Sequence, residues 1–130
     1  MAEYSIPKPG TICWRELMTK DLDAAKAFYS GMFGWQLEQS KITPMAYSEI
    51  HLDGKAYGGM MPIDPTWGDI PSHWTAYVTV ANADETAAKI KENGGSMRQE
   101  PFDAPGVGRI GLCVDPAGAN FAIIQFEQPA

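Results

Sequence analysis

Histidine and cysteine are scarce in this chain, two of each in 130 residues, and their placement excludes several kinds of site. Cys13 and Cys113 stand in apolar, strand-like surroundings without a Cys-x-x-Cys pair or Cys/His spacing, which excludes zinc-ribbon and redox motifs. They are expected to be reduced, buried thiols acting as small hydrophobes. His73, beside Pro71 and Ser72, has no spaced partner and is expected near the surface in a structural role. Basic residues are also few. Ten Lys and Arg against sixteen Asp and Glu leave a net charge of −6, without the basic stripe that nucleic acid or an anionic membrane requires. The expected partners are small molecules or proteins, with no nucleic acid and no membrane. Long apolar runs are missing too. The opening "MAEYSIPKPG" lacks an apolar core of signal-peptide length, and the expected location is the cytoplasm. There is no Gly-x-Ser-x-Gly, P-loop or dinucleotide fingerprint; "GVG" is too short to count.

What is present is an ordinary globular composition, 45% hydrophobic and 20% charged, in a length that suits one domain around one core. Within it a helix-like stretch occurs twice, "DLDAAKAFYSGMFGW" from Asp21 and "NADETAAKIKENGGS" from Asn82. Asp21 and Asn82 are plausible N-caps, and Gly34 and Gly95 stand where a helix ends in a left-handed residue. The offsets agree: 82 − 21 and 95 − 34 both give 61. Leu22, Ala25, Phe28, Tyr29 and Met32 recur at helical spacing in the first stretch, and Ala83, Thr86, Ala87 and Ile90 more weakly in the second.

The surroundings repeat as well. A strand-like segment precedes each helix, "TICWRELMT" and "HWTAYVTVA", and three follow it. In the first half these are "WQLEQSK", "MAYSEIHL" and "AYGGMMPI", with "DGK" as a hairpin turn. In the second they are "SMRQE", "GRIGLCVD" and "NFAIIQF", with "PAGA" as the turn. The order is βαβββ twice, with module 1 over about 8–63, a linker at about 64–72 and module 2 over about 73–127. Neither module covers its own sheet. The expected fold class is α+β, with two βαβββ modules.

This arrangement, with "DLDAAKAFYSGMFGW" in the first half and "DPAGANFAI" in the second, resembles the vicinal oxygen chelate superfamily, the glyoxalase, bleomycin-resistance and extradiol-dioxygenase group. The segments "CWRELMTKD" and "PGVGRI" are similar to its small glyoxalase-like branch. The resemblance covers essentially the whole chain, and it implies that the two modules form a curved mixed sheet around a central cleft that holds a ligand. It implies a metal held by His, Glu or Gln from the first and last strand of each module, and here those positions fall on Trp14, Thr75, Ala122 and the stretch Gly58 to Met61. None is a good ligand, so no metal and no other cofactor is expected. Members of this size often pair, which together with exposed sheet edges implies a homodimer.

The alternation of side chains along strands puts Trp14, Glu16 and Met18 on one face, the face that holds ligands in metal-using relatives. If Ser48, Ile50 and Leu52 face the helix, then Tyr47, Glu49 and His51 face the cleft or its rim. A Glu16, Glu49, His51 metal cluster is the alternative, against a plain reading of Glu49 and His51 as solvated rim residues. Glu16 stands mid-strand, where a buried carboxylate costs several kcal/mol unless it is paired. It is read either as part of an internal salt bridge or hydrogen bond, or as a polar anchor or general base. The second module offers Thr75, Tyr77 and Thr79 on the matching face. Trp14, Glu16, Tyr47, Glu49, Met60, Thr75, Tyr77 and Ile124 form the candidate ligand set, with Glu16 as the one catalytic candidate. Trp67 and "DAPGVGR" are candidate lids. The expected function is binding of a small aromatic or apolar molecule without metal. The alternatives are a lyase, isomerase or dioxygenase using Glu16, and a non-catalytic accessory or regulatory protein.

Overall fold

The computed structural model describes residues 6–41 and 46–127. In chain order the elements are β1 (Ile12–Thr19), α1 (Leu22–Phe33), β2 (Gln36–Gln39), β3 (Ser48–Leu52) and β4 (Lys55–Pro62), then a 3-10 turn (Pro65–Trp67). β5 (His73–Thr79), α2 (Ala83–Glu92), β6 (Ser96–Ala104), β7 (Gly108–Val114) and β8 (Asn120–Phe126) follow. The fold is α+β with the βαβββ order twice, as the repeat implied. Met45, the expected first residue of the third strand, lies outside the described residues.

Both helices start as their sequences require. The Asp21 carboxylate accepts the Ala24 N–H at 3.0 Å, and the Asn82 side chain accepts the Glu85 N–H at 2.9 Å, each satisfying an amide that the first helical turn leaves without a partner. Gly34 ends α1 in the left-handed conformation, φ 71°. The corresponding residue of α2 is Gly94, φ 92°, rather than the expected Gly95. Gly95 is required for another reason: a Cβ there would come within 2.7 Å of Ile90 Cγ2 and of the Val114 carbonyl oxygen. Asp53 and Gly54, φ 52° and 77°, make the tight turn of the β3–β4 hairpin, where two successive positive φ values suit the strand twist.

The chain divides into two compact units, one from Trp14 to Thr75 and the other made of the segment up to Cys13 with the chain from Ala76 onward. In the first, the strand order is β2-β3-β4-β1, antiparallel except for the parallel β1–β4 pair. Its core is Leu17, Ile50 and Met60, against which Leu22, Ala25 and Tyr29 of α1 pack with Trp35 and Leu37. In the second, the order is β5-β8-β7-β6 with β5–β8 parallel. Ala83, Cys113 and Ile123 form its core, with Val80, Ile90, Met97 and Phe121 around them. Full burial of a large aliphatic side chain contributes about 1.5 to 3 kcal/mol, so these clusters hold each helix to its strands. Both cysteines are free. Burial pushes the Cys113 thiol up to about 11, which keeps it protonated and unreactive.

Two expectations change here. "DAPGVGR" is the closed end of the β6–β7 hairpin rather than a mobile lid. Its turn is tied by the Val107 N–H to Ala104 O at 3.0 Å, and Arg109 pairs with Asp103 at 3.0 Å and with both Asp84 oxygens at 3.0 and 3.1 Å. Trp67 belongs to a short 3-10 turn capped by Asp64.

Candidate small-molecule site

Strand register decides which side chains share a face. Leu17 pairs with Met60, which pairs with Ser48, and this row lies toward α1. One position along, Glu16 pairs with Gly59, Gly59 with Glu49, and Glu49 with Glu38. That second row therefore runs across the opposite face of the 14–75 unit, because adjacent residues of a strand point to opposite sides. It carries three carboxylates and one gap, at Gly59.

The gap is filled by Tyr47. A Cβ on Gly59 would overlap the Tyr47 phenol, so glycine is needed for the ring to lie across β4. From there the Tyr47 hydroxyl donates to Glu16 Oε2 at 2.8 Å and accepts the Trp14 indole N–H, also at 2.8 Å. Glu16 is 6% exposed. A buried carboxylate needs such donors, since desolvation disfavours its charged form. Burial first, and then the charge of Glu16, holds the Tyr47 phenol well above its ordinary range. Tyr47 thus keeps its proton and stays a donor to the carboxylate, which stabilises that carboxylate as an anion.

The remaining expected residues separate by position. Glu49 and His51 follow on the same strand as partners of each other: His51 Nε2 lies 3.1 Å from Glu49 Oε1, and its Nδ1 lies 3.4 Å from Glu38 Oε2. Their side chains are 27% and 19% exposed, so they are paired and half-buried rather than freely solvated. Met60, expected to line the ligand site, is instead fully buried in the core with Leu17 and Ile50. Thr75 is buried in the 14–75 unit. In the other unit, Tyr77 pairs with Ala122, and Thr79 pairs with Ile124; Ile123 points into the core under α2, so Tyr77 and Ile124 lie on the face away from that helix, both buried. Glu38 of the carboxylate row escaped the sequence reading, and Gly59 was named there only within the stretch Gly58 to Met61. The signal for both was the register of β4 and β2, which no local pattern reveals.

The side chains at the positions where the resemblance implied metal ligands do not fit a metal. The Trp14 indole N–H is a donor already directed at Tyr47, Gly59 has no side chain, Ala122 is a buried methyl group, and one Thr75 hydroxyl is a poor ligand. Among the described residues no three of His, Cys, Asp and Glu are grouped so as to hold a metal ion. Glu16 is engaged by Tyr47, while Glu49 and His51 engage each other. Among the described residues, no helix is long and apolar enough to cross a membrane.

With this geometry in view, comparison with known proteins gives the class. Residues 11–123 match the model of the Glyoxalase/Bleomycin resistance protein/Dioxygenase superfamily. The chain belongs to that superfamily. The glyoxylase-named protein CFP32 of Mycobacterium tuberculosis is 36% identical over 121 residues, 92% of this chain and 46% of the relative. The anthracycline biosynthesis protein DnrV of Streptomyces peucetius is 30% identical over 128 residues, 88% of this chain and 46% of the relative. The chain thus spans about half the length of these relatives. Among solved structures, a Streptomyces coelicolor methylmalonyl-CoA epimerase variant in complex with 2-nitronate-propionyl-CoA superposes with a TM-score of 0.63. The match has 19% identity and covers 93% of this chain and 100% of that one. At that identity the likeness is one of fold.

Proposed function

We propose that the protein binds a small aromatic or apolar molecule on the face that carries Trp14, Tyr47 and Glu16, with Glu16 as the polar anchor and without a resident metal. The observation that carries this reading is the hydrogen-bonded series Trp14 to Tyr47 to Glu16, laid over Gly59. A buried carboxylate, even when hydrogen-bonded as Glu16 is by Tyr47, is often no better for the fold than an apolar residue. It serves recognition well. Small-molecule sites are largely apolar surfaces with a few fixed polar groups, and the indole and phenol here supply the surface while the carboxylate supplies the acceptor. DnrV is named for anthracycline biosynthesis, and anthracyclines are planar aromatic molecules, which supports the same ligand class. Pairing of two copies is part of this reading.

Use of Glu16 as a general base, in a lyase or isomerase, is the less favoured reading. The Glu16 Oε2 is already engaged by the Tyr47 hydroxyl at 2.8 Å, whereas a general base needs its oxygen within hydrogen-bond reach of the substrate proton it takes.

The test is a fluorescence titration with a dihydroxyanthraquinone, following quenching of tryptophan. Glu16→Gln keeps the shape of the side chain and removes its charge, so affinity should fall by about 1.5 to 3 kcal/mol, the range for a hydrogen bond to a charged group, with the melting temperature nearly unchanged. Trp14→Phe should remove most of the quenching. Saturable binding that is the same in Glu16→Gln and wild type would sink the assignment.

A further inference from the structure

The helix α1 buries none of its twelve residues. Leu22, Ala25 and Tyr29 lean on the core, yet Phe28, Met32 and Phe33 are 56%, 60% and 55% exposed. A helix that is apolar on more than its core stripe is ordinarily covered by something. The apolar surface continues past the helix through ring contacts. Phe28 meets Tyr29 edge-on at 5.1 Å, Tyr29 stacks on Trp35 at 5.3 Å, and Trp74 stands edge-on to both Tyr29 and Trp35. The Trp74 indole donates to the Tyr29 hydroxyl at 3.2 Å, which fixes the patch. Beside it opens a recess of about 420 Å³ walled by Trp35, Leu52, Tyr57 and Trp74. One side of the 14–75 unit therefore carries both projecting apolar side chains and an apolar hollow, on the opposite face of the sheet from Glu16 and Tyr47.

We infer that this surface is where a second copy of the chain docks, with Phe28, Met32 and Phe33 of each copy set against the recess of the other. The inference rests on the pairing proposed above and adds its location. Three observations select a second copy as the occupant. Projections and hollow lie on the same surface, so a two-fold axis brings each against its complement twice, as isologous interfaces require. Phe28, Tyr29, Met32, Phe33, Trp35 and Trp74 are all uncharged in a chain of net charge −6, so two copies repel least where these residues meet. CFP32 and DnrV match over only 46% of their lengths, which gives each room for a second unit of this size in one polypeptide. A small molecule in the recess would leave the three projecting side chains in water.

Light scattering on the full chain over a range of concentrations tests this. The wild type should have twice the 14.2 kDa chain mass. Phe28→Glu and Phe33→Glu should each raise the dimer dissociation constant 30-fold or more, roughly the effect of losing a central interface residue, with an unchanged circular dichroism spectrum. Lys89→Glu, on exposed α2 surface, should leave the mass as it was. Met32→Glu, at the most exposed of the three positions, repeats the measurement if either aromatic variant fails to fold. A monomeric wild type would overturn the pairing itself. A dimeric wild type whose Phe28, Phe33 and Met32 variants stay equally dimeric would overturn the surface and leave the pairing standing. Strong binding of anilinonaphthalene sulfonate to the wild-type dimer, lost in Phe33→Glu, would show the patch uncovered and would likewise overturn the surface.

Discussion

The two repeats share strand order, parallel pairing of first and last strands, and helix caps, yet they use corresponding positions in opposite ways. Glu16 in β1 and Tyr77 in β5 are equivalent by the repeat, and their partners across the parallel pair are Gly59 and Ala122. In the first repeat the glycine admits an aromatic ring that hydrogen-bonds a carboxylate. In the second, Tyr77, Ala122 and Ile124 make a buried apolar surface with no such gap. The helices differ as strongly: α1 is apolar and buries no residue, whereas α2 buries Ala83 and Ala87 and carries acids in its first turn and lysines in its last. Duplication constrains the backbone and its hydrogen bonds. The chemistry of each face is left free to diverge, and function has to be sought in that divergence.

Five substitutions break or sharpen this contrast. The largest effect is expected from Gly59→Val, where the new side chain displaces the Tyr47 ring: overpacking of this kind costs about 3 kcal/mol and should also move the Tyr47 hydroxyl off Glu16. Ala122→Gly, the reciprocal change in the other repeat, should cost only about 1 kcal/mol through added chain entropy and a lost methyl group. Urea unfolding of both variants checks the pair, and equal losses would mean that the two faces are built alike.

Tyr47→Phe comes next. It removes the donor to Glu16 and the acceptor for Trp14 together, and leaving buried polar groups without their partner costs about 1 to 3 kcal/mol at pH 7. The same variant isolates a pH effect. The folded-state pKa of Tyr47 lies above its ordinary value of 10.0, so the folded chain holds this proton more tightly than the unfolded chain. The associated stability is fully present below pH 10 and declines as pH rises from there toward the raised value. Wild type should therefore lose stability above pH 10 more steeply than Tyr47→Phe. Parallel pH profiles would show that the phenol is not held by Glu16 and burial.

The smallest effect tests what the repeats have in common. Asp21→Ala and Asn82→Ala each remove one capping hydrogen bond of near-equal length, 3.0 and 2.9 Å, and each should cost about 1 kcal/mol. A thermal melt in which only one of them matters would show that the shared caps are not equally used.

Local chemistry was legible in the sequence because it depends on neighbouring residues. Asp21, Asn82, Gly34 and the Asp53–Gly54 turn all lie where capping and turn preferences put them. The choice of Gly95 over Gly94 failed because the repeat offset does not hold to the end of α2, which has ten residues against twelve in α1 and places Asn93 between its last residue and the left-handed Gly94. Across strands, the reading depended on register. Alternation alone set Glu16 apart from Leu17, but it could not say that Gly59 lies opposite Glu16 and Met60 opposite Leu17. A shift of one residue moves a side chain to the other face, and Met60 was misplaced in this way. The Tyr47 contact was unreadable for the same reason, since it depends on how β3 lies against β4.

The parallel pairing of β1 with β4, and of β5 with β8, has a kinetic consequence. Arg15 meets Gly58 and Tyr77 meets Ala122, partners roughly 40 residues apart, whereas the β3–β4 and β7–β8 hairpins join neighbours in the chain. Closing a long loop has an entropic cost that must be met before the contacts it makes can form, and such topologies fold slowly. Hairpins assemble within microseconds, so the first strand of each repeat is expected to pair last, and protection of β1 amides before those of β3 and β4 in pulsed hydrogen exchange during refolding would refute this. On that expectation Gly59, in β4, and Tyr47, directly before β3, are already together when β1 arrives. The carboxylate of Glu16 is then lowered onto a waiting hydroxyl, and the step that completes the sheet is also the step that assembles the candidate site.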